Sequence, residues 1–182
     1  MSDLVVRRVE SKKDLKKFVK VPFHVHRDHP EWVPPLIMER MDFLNRKKNP
    51  YFDHAEVELL IAERDGVPVG RISAQIDSRW DEYRGGNDGQ FGFFETIDDA
   101  EVANALLDAG CEWLAGKGRE KVYGPMDFTT NDEIGIQIEG FDIRPVILEN
   151  CHQPYVKDLV EGNGFTKAMD LLMWHLEMGK LA

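Results

Sequence analysis

The chain has 182 residues, 42% of them hydrophobic, and a net charge of −10. This length and apolar content suit one folded domain, and the negative balance excludes general nucleic-acid binding. No apolar run approaches the ~20 residues of a membrane span, and "MSDLVVRRVESKK" lacks the charged-then-apolar build of a secretory signal.

A cytoplasmic protein is therefore expected, with neither nucleic acid nor membrane as a partner. Cys111 and Cys151 give no disulfide framework and read as two thiols in a reducing compartment. The charge is uneven. Residues 1–50 hold 12 Lys and Arg against 7 Asp and Glu, whereas the remainder holds 11 against 26. An acidic face suits a cationic substrate or a basic partner, and it equally serves solubility.

"DLVVRRVE" predicts a first strand. "SKKDLKKFVKVPFHVH" predicts a helix with Ser11 as N-cap and Leu15, Phe18 and Val19 on one face. Pro30, Pro34 and Pro35 make "RDHPEWVPPL" a loop. "LIMERMDFLN" reads as a short helix and "NPYFDHAE" as a connector. "VELLIAERDG" and "VPVGRISAQID" form a hairpin about Asp65-Gly66. "SRWDEYRGGNDG" reads as a polar turn and "QFGFFETI" as a third strand of the meander. A helix over Asp99–Lys117 lines up Val102, Leu106, Gly110, Trp113 and Leu114. "EKVYGPM" is a strand entering a long loop, "QPYVKDLVEGNGF" a short helix and "TKAMDLLMWHLEM" a last strand. A strand–helix–strand crossover after the meander makes a mixed, mainly antiparallel sheet of six or seven strands.

"NPYFDHAEVELLIAERDGVPVGRISAQID", with its glycine-bearing hairpin, and "EGNGF" after the last helix resemble the GNAT superfamily of N-acetyltransferases. The wider pattern "WVPPL … KNPYFDHAE … GRISAQID … GFFE … VYGPMDFTTNDEIG … EGF" is similar to a bacterial group of GNAT-like proteins, often about twice this length. The resemblance implies a single α/β (α+β) domain over residues 1–182 with helices on both faces of the sheet. It also leaves room for one half of a two-domain or homodimeric architecture. It implies an acyl-CoA-dependent N-acyltransferase, with acetyl-CoA or another acyl-CoA as co-substrate and a small amine attacking directly. The alternative is a GNAT-fold ligand-binding or protein-interaction domain without catalysis.

In that superfamily the turn before the central helix reads (Q/R)-x-x-G-x-(G/A), and its backbone N–H groups hold the CoA diphosphate at a helix N-terminus. The matching amides here are those of Asp99, Ala100, Glu101, Val102 and Ala103, in a turn that has acids where the family has glycines. Either Asp98 or Asp99 caps the helix and occupies those amides, or the acids face solvent and leave them free.

The superfamily's acid is a Tyr five residues before the Phe of "GF". That position is Val160 here, so Tyr155 is the candidate acid, with packing at the helix start as its other role. Glu95, ending "GFFE", is the candidate base. Strand alternation puts it on one face with Phe91 and Phe93, where aromatic surroundings raise a carboxyl, or it is a salt-bridged terminal Glu. Asn131, Asp132 and Glu133, in the polar loop after a strand end, are candidates to bind a cationic amine. His24, His26 and His29 have zinc-like spacing without a fourth ligand, so no metal is expected. His152 and His175 have no partner visible in the sequence.

Overall fold

A computed structural model describes residues 3–174 and Gly179. Its elements run β1 (Leu4–Arg8), α1 (Lys12–Val25), α2 (Ile37–Phe43), a 3-10 turn (Pro50–Asp53), β2 (Ala55–Arg64), β3 (Val67–Asp77), α3 (Ser78–Arg84), β4 (Asp88–Thr96), α4 (Ala100–Gly116), β5 (Lys121–Tyr123) and α5 (Val156–Gly162). Among the described residues the sheet has five strands in the order β1-β2-β3-β4-β5. All neighbours are antiparallel except β4 and β5, which are parallel across the α4 crossover.

Local chemistry explains most of these elements. Ser11 and Asp14 form a reciprocal capping box that starts α1. Asp65 and Gly66 both take positive φ, 51° and 78°, which a two-residue hairpin between β2 and β3 requires. One apolar layer packs α4 and α5 on the sheet through Val102, Leu106, Leu107, Val156 and Val160 against Leu60, Ile72 and Phe94. The opposite layer gathers Phe18 and Val19 of α1 with Tyr51, Leu59, Ile61, Phe93 and Phe128. A Cβ at Gly70 would stand 2.7 Å from Leu106 Cδ1, so α4 sits close on the sheet at that point. Gly92 similarly leaves no room for a side chain, because the Met126 carbonyl lies against it.

Three expectations need correction. The stretch read as a polar turn contains α3, capped by Asp77 and closed by Gly85 in the left-handed region. Its seven residues are too few for a clear helical period. Residues 166–174 of the expected last strand pair with no strand, and residues 175–178 lie outside the described residues. Strand alternation also fails inside β4. Arg71 pairs with Glu95 but Ser73 pairs with Gly92, so β4 carries one extra residue, and Phe93 there has φ 48°. The bulge sends Phe91 and Phe94 together to the α4 side, while Phe93 faces α1.

Candidate active site

The bulge also sets the direction of Glu95, one residue before the end of β4. Its side chain is only 16% exposed, and Oε2 lies 2.6 Å from His26 Nε2. Oε1 lies 3.7 Å from an Arg71 guanidinium nitrogen. Burial alone would raise this carboxyl. The hydrogen bond from His26, with the charges of His26, Arg71 and His152, outweighs burial and holds Glu95 below the ordinary carboxylate range. It is therefore a buried, ionised carboxylate and not the raised one that aromatic neighbours suggest.

Helical phase brings His26 there. Phe18, Pro22 and His26 are four residues apart, and the first two form the buried face of α1. His26 stacks on Trp32 with ring centroids 5.2 Å apart and lies 5.9 Å from His29. With Nε2 donating to Glu95, its Nδ1 has no partner among the described residues. Arg71 donates to the Phe18 carbonyl at 3.3 Å, and its guanidinium lies over the rings of Phe18 and Phe93.

The long connection from β5 to α5 closes the other side. His152 is buried, and its Nδ1 accepts the Gln137 N–H at 3.2 Å. Burial holds this imidazole below its ordinary value, only partly offset by Glu95. Cys151 Sγ is 3.6 Å from His29 Nδ1, and burial, then Glu95 and Glu31, push its thiol up to about 11. Tyr155 is the cap residue immediately before α5, and its hydroxyl donates to the Thr96 carbonyl at 2.8 Å. Burial, then Glu95 and Asp98, raise its phenol. Tyr155, 60 positions after Glu95 in the chain, is thus held at the C-terminal end of β4 by the carbonyl of the residue that follows Glu95.

The β4–β5 pairing ends at Gln90–Tyr123, and the Met126 N–H then donates to the Phe91 carbonyl at 2.8 Å, so the chain after β5 stays against β4 as far as the bulge. At the bulge the Phe93 N–H donates to Asp127 Oδ1 at 2.6 Å and not to the neighbouring strand. Asp127 is half-buried, and desolvation together with the nearby Glu133 pushes its carboxyl well above the ordinary range. Glu133 pairs with Arg40 of α2. Asp132 accepts the Thr129 N–H at 3.1 Å and its hydroxyl at 2.7 Å, so it closes its own loop. Asn131 is exposed. Of these three loop residues, Glu133 joins the buried cluster.

At the start of α4, Asp99 is the N-cap. Its Oδ1 accepts the N–H of Glu101 at 2.9 Å and of Val102 at 3.3 Å. Its Oδ2 lies 2.6 Å from Arg64, which holds Glu101 at the same distance. The Ala103 N–H donates to the Asp99 carbonyl. Ala100 is the first residue of the helix. The capping reading is the observed one. The Asp99 N–H itself donates to the Ile97 carbonyl at 2.8 Å, so four of the five amides expected to face a diphosphate already have partners within the chain.

His26, Arg71, Asp127 and His152 were not singled out from sequence as members of this site. The 18–22–26 phase on α1 was the signal available for His26. His24, His26 and His29 do not converge, because His24 is exposed, and no metal-holding cluster exists among the described residues.

No protein-family model matches the chain. It is 41% identical over 174 residues to a bacterial ceramide synthase of Caulobacter vibrioides, covering 95% of this chain and 45% of that protein. It is 39% identical over 173 residues to Protein YghO of Escherichia coli, covering 95% and 44%. The chain thus spans less than half the length of these curated relatives. Among solved structures, an aminoglycoside acetyltransferase from an uncultured soil metagenomic sample, in complex with sisomicin, superposes with TM-score 0.57 at 14% identity, covering 96% of each chain. An aminoglycoside N-acetyltransferase in complex with CoA gives TM-score 0.54 at 14% identity, covering 97% of this chain and 96% of that one. The parallel β4–α4–β5 unit at the end of an antiparallel meander, with matches of this extent, shows that the chain has the GNAT acetyltransferase fold.

Proposed function

We propose that the chain provides the acyl-transfer centre of an acyl-CoA-dependent N-acyltransferase whose acceptor is an amine. The observation that carries this reading is the Glu95 carboxylate, held ionised by His26 and Arg71 near the end of β4, with the Tyr155 hydroxyl bonded to the carbonyl of the next residue, Thr96. Glu95 attracts a protonated amine and takes its proton, which frees the nitrogen lone pair to attack the thioester carbonyl. The Tyr155 phenol, held protonated and released from the Thr96 carbonyl, would return a proton to the departing thiolate. Glu133, and with it Asn131 and Asp132, would line the amine side. The Caulobacter relative is named for making ceramide, an amide of a long-chain amino alcohol. A long-chain amine is accordingly the acceptor class we propose here.

The α4 N-terminus fits a diphosphate only with the Asp99 carboxylate displaced; Arg64 would then be the cation within reach. That capping favours a second reading, a GNAT-fold binding domain that no longer transfers acyl groups. A third arrangement supplies the anion site from a second copy or a partner domain.

Thermal unfolding with CoA, acetyl-CoA and longer acyl-CoAs separates these. A ligand at about 100 times its Kd stabilises by about 2.7 kcal/mol. Thiol release with a panel of short and long amines, lost by about 100-fold or more in Glu95→Gln while the binding shift is kept, is the result expected. No shift with any thioester rejects the transferase reading for this chain. A shift without thiol release selects the binding domain.

A further inference from the structure

Lys12, Lys16 and Lys20 are spaced four residues apart on α1, opposite its buried Phe18, Val19, Val21 and Pro22, and all three are exposed. None of them is in an ion pair among the described residues. The acid on the helix itself, Asp14, is engaged by Arg7 and Ser11, and Glu10 and Asp28 lie only at the ends of the stripe. Beyond the end of α1, Leu36, the cap residue before α2, and Met38 in its first turn stand 70% and 79% exposed. The long connection before α5 adds a second apolar point, Ile147, at 91%. Two contacts tie these segments together: Arg40 with Glu133, and His29 with Cys151.

The charge asymmetry gives this surface a direction. The first 50 residues have a surplus of Lys and Arg, and the rest of the chain is strongly acidic. Much of that surplus is paired, Arg7 and Lys17 with Glu63 and Arg40 with Glu133, so the exposed lysines of α1 are the part of it left to attract a negatively charged plane. Cations in a row beside projecting aliphatic side chains are the chemistry that an interface of lipid headgroups and acyl chains recognises. No helix among the described residues is long and apolar enough to cross a membrane, so such an association is peripheral.

We propose that this face docks on an anionic lipid bilayer, with Lys12, Lys16 and Lys20 at the headgroups and Leu36, Met38 and Ile147 at the acyl boundary. The surface carries this inference without the transferase reading. Where both hold, the helix whose C-terminal cap, His26, bonds Glu95 is the one at the headgroups, and the acceptor would be a long-chain amine held in the bilayer.

Co-sedimentation of the whole chain with vesicles tests it. Vesicles of roughly three parts phosphatidylcholine to one part phosphatidylglycerol should bind the protein. Pure phosphatidylcholine vesicles should not, and about 0.5 M NaCl should release it. The triple variant Lys12→Gln, Lys16→Gln, Lys20→Gln should bind about 100-fold more weakly, at about five-fold for each lysine. Leu36→Ser with Met38→Ser should weaken binding while leaving the salt dependence. Circular dichroism and thermal unfolding of each variant establish that it is folded. Absence of binding to the anionic vesicles, binding unchanged in the folded lysine variant, or equal binding to neutral vesicles overturns the proposal. So does a dimer in sedimentation velocity that Leu36→Ser with Met38→Ser dissociates, because the face is then covered by a second copy.

Discussion

The start of α4 and the end of β4 are separated by three residues, and both carry acids, yet they use them in opposite ways. Asp99 meets partners close by in the chain, the amides two and three positions on, and a partly exposed arginine. Glu95 meets His26, 69 positions away, out of water and with Arg71 behind it. An acid at a helix start satisfies the backbone and closes a site. A carboxylate taken mostly out of water with distant partners is costly to hold and depends on those partners for its charge.

The largest test breaks the buried pair. His26→Ala should cost about 3–5 kcal/mol in urea unfolding, because Glu95 keeps its charge with only Arg71 near. A loss under about 1 kcal/mol would show that the pair is not buried in solution. Asp99→Ala should cost about 1–2 kcal/mol as a lost cap. Asp99→Gly should, in the same measure, tighten CoA binding by about five-fold by freeing the Glu101 and Val102 amides; unchanged affinity would reject the carboxylate as the obstruction. Tyr155→Phe removes one hydrogen bond to Thr96 and should cost about 1 kcal/mol.

The smallest effect is in pH and salt. Glu95 and Asp99 both have folded-state pKa values below the ordinary carboxylate range. The stability each supplies is therefore complete above that range and is lost as pH falls through the folded value. Glu95→Gln should flatten this acid limb equally at low and high salt, whereas the contribution of Asp99 should shrink at about 1 M salt, where screening reaches the more accessible Asp99–Arg64 pair. Equal salt sensitivity would erase the contrast between the two regions.

The same contrast explains what could be read in advance. The capping box at Ser11, the Asp65-Gly66 turn and the capping alternative at Asp99 depend on residues within three or four positions, and each is found where local chemistry puts it. Glu95 was legible as a carboxylate at a strand end, but its state was not, because His26 and Arg71 reach it from other elements. The faces of Phe91 and Phe93 were misassigned because a bulge is a tertiary event: the Phe93 N–H leaves the ladder for Asp127, 34 positions on. Residues 166–174 alternate well enough for a strand, but a strand needs a neighbour, and the pattern does not name one.

The bare Cα at Gly92 has a wider consequence. A single methyl there would push the Met126 carbonyl away, and with it Asp127, from the β4 backbone. The distortion that aims Glu95 inward would then lose its anchor. One missing carbon atom thus keeps the Met126–Asp127 segment against β4, and Gly92 marks the position where the smallest enlargement should be felt across the bulge.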